Sequence, residues 1–201
     1  MSNIDFQEEV SKRLNIFRLN DLQKSGLNYE RIYLDGYRDS KNGWEVPVID
    51  PFSGKELFCR TRLDSPGAEM PKYIQPKGVG LVPFYPYRDD WLEIAQDTSQ
   101  SIIWLEGEKK ASKLSQESFT AISMPGVSAY GSVKFLESIS QFNWKNRKTY
   151  ICFDNDIRTK PQVKAALEDF AKILYRKGAR VLEIELPDKL VMSDRGDYSN
   201  D

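Results

Sequence analysis

The sequence predicts an α/β fold with a mainly parallel sheet flanked by helices, and three observations support this prediction. Two continuous apolar runs, at residues 102–105 and 150–153, have the pattern of strands that are buried on both faces. Helix-like segments follow these runs, at residues 108–116 and 161–177, and a third short strand is expected at residues 119–124. This alternation of strand and helix requires right-handed crossovers and a mainly parallel sheet.

The first part of the chain, residues 1–99, is predicted to be a helical lead-in followed by a small basic α+β lobe with antiparallel strands. Short helices are expected between residues 3 and 34, the second of them capped by Asn20 or Asp21, and we expect a structural role for them. From residue 43 the pattern changes to alternation, and turn residues at 50–55 separate the two strands of a β-hairpin. A loop then leads into the α/β domain, residues 100–201.

Composition limits the class of protein and the kind of site. Of the 201 residues, 40% are hydrophobic and 29% are charged, as in a soluble globular protein. No apolar run approaches the roughly 20 residues that span a bilayer, and the N-terminus lacks the features of a signal peptide, so we expect a cytoplasmic protein without a membrane partner. With no histidine and only Cys59 and Cys152, a zinc centre is nearly excluded.

An acidic turn follows each of the two apolar runs. Glu106-Gly107-Glu108 follows the first run, and Asp154-Asn155-Asp156 follows the second. Because ligands of open α/β sheets lie at the carboxyl ends of strands, we expect Glu106, Asp154 and Asp156 at one rim. Three close carboxylates repel one another unless a cation lies between them, and a hydrated Mg²⁺ suits such a set. This indicates phosphoryl transfer or phosphodiester cleavage; the alternative is an acidic first helical turn and an N-cap without a ligand.

The second strand of the hairpin carries basic side chains on one face. Arg60 and Arg62 alternate with other residues, and burying unpaired arginines is costly, so they meet either water or an anion. Guanidinium groups suit phosphate, Lys72 adds a point charge, and Tyr73 offers a ring on which a base can stack. The alternative is a solvated outer face with Tyr73 in the core.

A second basic region lies between residues 145 and 180, where ten Lys and Arg residues stand against four Asp and Glu residues. Such a run is either a phosphate-contacting surface or a solvated helix face. The formal net charge of the whole chain is −1, so the molecule as a whole is not a basic nucleic-acid-binding protein.

The two acidic turns carry a resemblance to a known family. An apolar strand ending in Glu-Gly, then a helix, then a strand ending in Asp-x-Asp is similar to the Toprim domain of bacterial-type primases, topoisomerases and some nucleases. The segment EGEKKA, followed later in the chain by FDND, most resembles the corresponding segments of phage and plasmid primase–helicase proteins. The resemblance implies that Glu106, Asp154 and Asp156 hold Mg²⁺ or Mn²⁺ and are catalytic, and Gly126 matches a glycine turn of the family.

Two further stretches resemble parts of bacterial-type primase cores. Arg62 and Pro71-Lys72-Tyr73 are similar to the subdomain that precedes Toprim, which implies contacts to template or nucleotide, with Arg60 as an additional contact. Asp197, before Tyr198, resembles a third acidic motif. The sequence stops three residues after Tyr198, so we expect a fragment of a longer protein, with a helicase fused to it or separate.

The first motif departs from the replicative primases at one position. Those enzymes have a further acid where this chain has Lys110, which Lys109 precedes. A lysine there repels a second cation and instead offers a contact for phosphate, which argues against a two-metal mechanism. Glu108 is a candidate for the missing carboxylate.

The function expected from these features is that of a primase catalytic core. Such a nucleotidyltransferase makes short primers during DNA replication, from nucleoside triphosphates on a single-stranded DNA template. Two alternatives stay open: a Toprim-type nuclease, in which water attacks, and a non-catalytic nucleic-acid-binding module that retains the fold.

Overall fold

Three short helices open the part of the chain that the structure describes. The computed structural model describes residues 4–67, 70–126, 129–154, 160–186, 190–192 and 198–200. The helices are α1 (Phe6–Arg13), α2 (Ile16–Gln23) and α3 (Tyr29–Leu34). Each begins after a polar cap, Asp5, Asn15 or Asn28, whose side chain accepts a hydrogen bond from a backbone amide of the first turn.

The second helix begins earlier than the sequence pattern indicated. Asn15 caps it, and the expectation of a cap at Asn20 or Asp21 is wrong. Ile16 and Phe17, in its first turn, are 60% and 82% exposed. These two exposed apolar residues obscure the helical periodicity, because a pattern search assigns apolar residues to the buried face.

Four antiparallel strands form the first sheet. They are β1 (Arg38–Ser40), β2 (Gly43–Ile49), β3 (Glu56–Leu63) and β4 (Tyr73–Ile74), in the order β1-β2-β3-β4. Strands β2 and β3 form the predicted hairpin, with Arg60 opposite Val46 and Arg62 opposite Trp44. This sheet follows the three helices, as the sequence predicted.

Four parallel strands form the second sheet, in the order β6-β5-β7-β8. Their bounds are β5 (Ile102–Glu106), β6 (Ala121–Met124), β7 (Lys148–Cys152) and β8 (Arg180–Glu183). The helices around them are α4 (Trp91–Gln96), α5 (Glu108–Gln116), α6 (Val133–Ile139) and α7 (Pro161–Arg176), with a 3-10 turn at Ala129–Gly131. Two short strands, β9 (Leu190–Met192) and β10 (Tyr198–Asn200), pair antiparallel. The α/β fold class with a preceding antiparallel sheet is confirmed.

Both faces of the parallel sheet are buried, as the continuous apolar runs predicted. Ile102 and Trp104 of β5 belong to a core that includes residues of α4, α6 and α7. Leu105, from the opposite face of the same strand, belongs to a second core with residues of α1 to α3, β2 and α5. Alternation along β5 thus divides the core, and the second core contains residues from both sides of residue 100.

Buried polar contacts join the N-terminal helices to α5. The hydroxyl groups of Tyr37 and Ser112 lie 2.9 Å apart in a hydrogen bond. Arg31 donates to Asp35 over 3.1 Å, and the amide of Tyr87 donates to the same carboxylate over 2.7 Å. Burial raises the pKa of Asp35, which the charge of Arg31 opposes. The Tyr37–Ser112 contact holds the lead-in against α5, and the Tyr87–Asp35 contact holds the end of α3 against the segment that precedes α4.

Arg147 lies inside the molecule although it belongs to the basic region at residues 145–180. Its guanidinium donates to the carbonyl oxygens of Ile94, Ala95, Gln100 and Asn143 over 2.7 to 3.0 Å. Ile94 and Ala95 belong to the last turn of α4, whose carbonyls need such partners. Burial lowers the pKa of Arg147. Its role is therefore structural, and it does not face solvent.

The structure also bears on membrane-spanning helices and on the state of the two cysteines. Within the described ranges, none of the helices combines the length and the apolar character that crossing a membrane requires. Cys59 and Cys152 are both free thiols, and burial raises the pKa of Cys59 to about 12.

Candidate active site and nucleic-acid interface

The two acidic motifs meet at one edge of the parallel sheet. Glu106 is the last residue of β5, and Asp154 follows β7 by two residues. These strands are parallel neighbours, with Leu105 opposite Cys152. Both acids line one cleft of about 340 Å³. The carboxyl ends of the two strands therefore bring Glu106 and Asp154 to the same side of the sheet, as the sequence predicted.

The cleft lies between the parallel sheet and the antiparallel sheet, because it is lined by residues from both. The lining residues are Arg60, Lys72, Tyr73, Glu106, Gly107, Glu108, Lys109, Lys110, Met124, Pro125, Gly126 and Asp154. Most of the predicted site residues are among them. Arg62 lies beside the cleft, because it shares the carboxylate of Asp21 with Lys109. Asp156 and Asp197 lie outside the described residues, so their predicted roles stay predictions.

Two glycines form the turns that leave the strands at this edge. Gly107 has φ +85° and Gly126 has φ +150°, in the region that favours glycine. A Cβ atom added at either position would meet no atom within 4 Å. The backbone is thus open toward the cleft at both turns, which allows a ligand to approach it closely.

Arg60 and Glu108 form an ion pair beneath the cleft, and their side chains are only 4% and 3% exposed. The guanidinium also donates to the carbonyl of Val82 over 3.1 Å and to Gln75 Oε1 over 3.2 Å. The solvated outer face that the alternation allowed is therefore not observed for Arg60. The anion that it meets is a carboxylate of the chain itself. Glu108, the candidate for the missing metal ligand, already has a cationic partner.

Asp21 is a site residue that sequence reasoning missed. Its Oδ2 atom accepts hydrogen bonds from Trp44 Nε1 over 2.8 Å, Arg62 Nη1 over 3.0 Å and Lys109 Nζ over 3.3 Å. Burial opposes ionisation, but the hydrogen bond from Trp44 and the charges of Lys109 and Arg62 outweigh it and lower the pKa of Asp21. No sequence signal could reveal this contact, because Asp21 is 41 and 88 residues from its two cations.

Lys109 and Lys110, although adjacent, face different acids. Burial lowers the pKa of Lys109, Arg62 and Lys72 lower it further, and Asp21 opposes the shift. Lys110 forms an ion pair with Asp154, in which the side chains are 52% and 47% exposed. The lysine that replaces an acid of the primase pattern thus contacts an acid of the second motif.

Lys72 and Tyr73 differ in exposure. Lys72 is exposed at the mouth of the cleft, whereas Tyr73 is partly buried and packs on the core that contains Trp44. The ring centroids of Tyr73 and Trp44 lie 6.0 Å apart with an edge-to-face angle of 78°. Burial, with Glu108 adding to it, raises the pKa of Tyr73. Packing accounts for much of this ring, and base stacking by Tyr73 stays a prediction.

Two carboxylates at this edge are of the chemical type that a hydrated divalent cation uses. Within the described ranges, no group of three or more acids and cysteines has the arrangement of a metal site. Glu106 and Asp154 line one open cleft, and Mg²⁺ commonly uses one or two carboxylates and keeps several waters. The expected third ligand, Asp156, is not among the described residues.

Several solved structures share this fold. The Aquifex aeolicus primase, with zinc-binding and RNA polymerase domains, has a TM-score of 0.61 at 16% identity over 86% of this chain and 50% of that one. A DnaG catalytic core has a TM-score of 0.61 at 16% identity over 86% of this chain and 65% of that one. The DnaG primase catalytic domain bound to single-stranded DNA has a TM-score of 0.59 at 16% identity over 84% of this chain and 63% of that one. This chain spans less than two thirds of each.

These likenesses show a shared fold. The sequence matches none of the curated proteins. Residues 90–191, just over half of the 201 residues, match the family described as "Domain of unknown function (DUF3854)". The chain therefore belongs to the DUF3854 family.

Proposed function

We propose that this chain is a Toprim-type primase catalytic core, a metal-dependent nucleotidyltransferase that makes short primers on single-stranded DNA. One observation carries the proposal. Glu106 and Asp154, from motifs far apart in the chain, line one cleft together with Lys72, Lys109 and Lys110. Acids that suit a divalent cation and cations that suit phosphate thus share a cleft, in a fold that DnaG catalytic cores also have.

The proposed roles follow from the position of each side chain. Glu106 and Asp154, with Asp156, would hold Mg²⁺ or Mn²⁺, which when bound neutralises charge on phosphate oxygens. Lys72 and Lys109 would contact phosphates of the template or the nucleotide. Arg62, which shares Asp21 with Lys109, would add charge beside the cleft. The attacking group would be a 3′-hydroxyl, and the chain would contribute positioning and charge neutralisation.

Lys110 favours a site with one divalent cation rather than two. Its ammonium already neutralises part of the charge of Asp154, and a second divalent ion beside it would be repelled. We further propose that the chain is related to phage and plasmid primase–helicase proteins. A helicase, fused or separate, would then be its partner.

Primer synthesis tests the proposal directly. The chain is incubated with single-stranded DNA, nucleoside triphosphates and Mg²⁺ or Mn²⁺, and short products are resolved on a gel. We expect products from the wild type and a loss of at least about a hundredfold with Glu106→Gln or Asp154→Asn, because each removes a ligand charge. Glu137→Gln, an exposed acid on α6, is the matched control and should retain activity.

The alternatives give different outcomes in the same assay. Degradation of DNA without nucleotides would identify a nuclease. DNA binding without synthesis or cleavage, unchanged by Asp154→Asn, would identify a binding module and overturn the proposal.

A further inference from the structure

The basic region at residues 145–180 is divided by the fold. Lys160 and Lys164 lie at the start of α7, whereas four other cations collect where β7 and β8 begin. These four, which we call the amino-edge patch, are Lys145, Lys148, Lys177 and Arg180. The acidic residues of the cleft follow the opposite ends of the strands. The patch is therefore a surface distinct from the cleft.

Two turns that touch each other bring the four cations to one edge of the sheet. Lys148 and Arg180 are paired residues at the first positions of neighbouring parallel strands. The amide of Asn146 donates to the carbonyl of Gly178 over 2.8 Å, and a Cβ atom on Gly178 would lie 3.4 Å from the Cα atom of Lys145. The turns that carry Lys145 and Lys177 are thus in direct contact at this edge of the sheet, next to the first residues of β7 and β8.

The amino-edge patch has no acidic partner among the described residues. Lys145, Lys148 and Arg180 are exposed, and none of the four forms an ion pair within the described ranges. Lys177 donates to the hydroxyl of Ser140 over 3.0 Å. Asp97, in the loop that leads into β5 at this edge, accepts from the amide and the hydroxyl of Ser99. Four like charges at one edge of the sheet repel one another, and an anionic ligand would relieve that repulsion.

An exposed aromatic ring favours nucleic acid over an acidic protein as the ligand. Tyr175, in the last turn of α7 and two residues before Lys177, is 74% exposed. Surfaces that bind single-stranded nucleic acid combine basic side chains along the backbone with aromatic rings on which bases stack. An acidic peptide would form ion pairs with the cations but would not use an exposed aromatic ring for stacking.

We propose that the amino-edge patch is a second contact site for the phosphate backbone of a single-stranded nucleic acid, separate from the cleft. Asp154 lies six positions after Lys148, which is about 20 Å along an extended strand. A strand that occupies both sites must therefore pass around the edge of the sheet, so only a long strand contacts the patch and the cleft together. The identity of the strand as template or product rests on the proposed function.

The test measures the affinity of oligothymidylates by fluorescence anisotropy across a series of salt concentrations. It uses the Glu106→Gln chain, so that no reaction alters the DNA, and lengths of about 4 and about 16 nucleotides, the range of single-site sizes. The variant is Lys145→Gln, Lys148→Gln, Lys177→Gln and Arg180→Gln combined. With the longer DNA, the slope of log affinity against log salt should decrease by about 2 to 3, since each lost phosphate contact contributes about 0.7. With the shorter DNA, which has few phosphates and cannot span both sites, the slope should decrease by less.

A matched control removes four exposed lysines elsewhere: Lys12→Gln, Lys41→Gln, Lys55→Gln and Lys134→Gln combined. It should keep the slope of the Glu106→Gln chain that has no further substitution. Tyr175→Ala should weaken the longer DNA by about fivefold or more, the effect of one stacked base.

Three results would overturn the inference. These are equal slope losses in the patch and control variants, no slope loss in the patch variant, or a patch variant that no longer binds polyglutamate but binds DNA unchanged. The last would identify a surface for an acidic protein. If primer synthesis fails and the length-dependent slope loss is still observed, the patch stands and the proposed function falls.

Discussion

Lys110 of α5 forms an ion pair with Asp154, which follows β7. The contact joins the two acidic motifs, which lie on neighbouring parallel strands. It also places an ammonium group beside a carboxylate that we propose as a metal ligand. The half-exposed position of both side chains makes the pair weak enough for a divalent cation to displace it.

Removing the Lys110 charge should strengthen binding of a divalent cation. An exposed ion pair is worth about 0.2–1 kcal/mol, so Lys110→Met should raise Mn²⁺ affinity by a factor of about 1.4 to 5. Titration calorimetry with Mn²⁺ alone measures the effect. Lys134→Met, which removes an exposed ion pair with Glu137, should leave the affinity unchanged. A loss of Mn²⁺ affinity in Lys110→Met would contradict a competing role for this lysine.

The buried pair of Arg60 and Glu108 should be the ion pair that matters most for stability. Arg60→Met or Glu108→Met leaves one buried charge without its partner and should lower the free energy of unfolding by about 3–5 kcal/mol. The double variant should lose much less than the sum, because it removes both charges. Urea denaturation measures all three proteins.

The partly exposed pair of Arg88 and Asp90, whose charged atoms lie 2.8 Å apart, provides the comparison for this cycle. Its coupling should be no more than about 1 kcal/mol. If the Arg60–Glu108 cycle gives a coupling as small as this, the prediction that this pair matters most for stability is wrong.

The contribution of Asp21 to stability should depend on pH. Its pKa in the folded protein is lowered, so its stabilising effect is complete above the unfolded pKa of about 3.9 and is lost as pH falls through the lower folded value. Asp21→Asn should therefore reduce the free energy of unfolding by about 1–3 kcal/mol at pH about 7 and by less at pH about 3. Urea midpoints across this range provide the measurement.

Glu30→Gln, an exposed acid at the start of α3, serves as the control and should show no such difference. A destabilisation by Asp21→Asn that is the same at both pH values would mean that Asp21 acts through shape and not through its charge.

Arg147 should be essential for joining α4 to the loop before β7. Arg147→Met leaves buried carbonyl oxygens without a donor and should lower the free energy of unfolding by about 2–5 kcal/mol. Arg147→Lys keeps the charge but not the planar set of donors and should have an intermediate effect. Thermal and urea unfolding measure both. Arg180→Met, at an exposed position, should change stability by less than about 0.5 kcal/mol, and an equal effect at the two sites would refute the role of Arg147.

Much of the parallel sheet was predictable because its strands are short, continuous apolar runs. The predicted runs at 102–105 and 150–153 correspond to strands Ile102–Glu106 and Lys148–Cys152, and the helix at 108–116 has the predicted bounds. Burial on both faces leaves little other place for such runs. The second helix was misplaced because Ile16 and Phe17 are exposed.

The partners of the charged residues were not predictable to the same degree. Alternation along β3 placed Arg60 and Arg62 on one face, and it left open whether that face met water or an anion. The answer depends on Glu108 and Asp21, which belong to other elements of the chain. Such contacts form only when the helical lead-in, the antiparallel sheet and α5 pack together.

The sequence by itself determined which residues form the parallel strands, and so which acids stand at the carboxyl ends of β5 and β7. These properties follow from local patterns of burial and from the geometry of a parallel sheet. Only the tertiary structure decided that Lys110 faces Asp154, that Arg60 is neutralised by Glu108 and that Asp21 joins Arg62 to Lys109. Charge pairing between distant segments depends on distances that exist only after packing, and no sequence period encodes them.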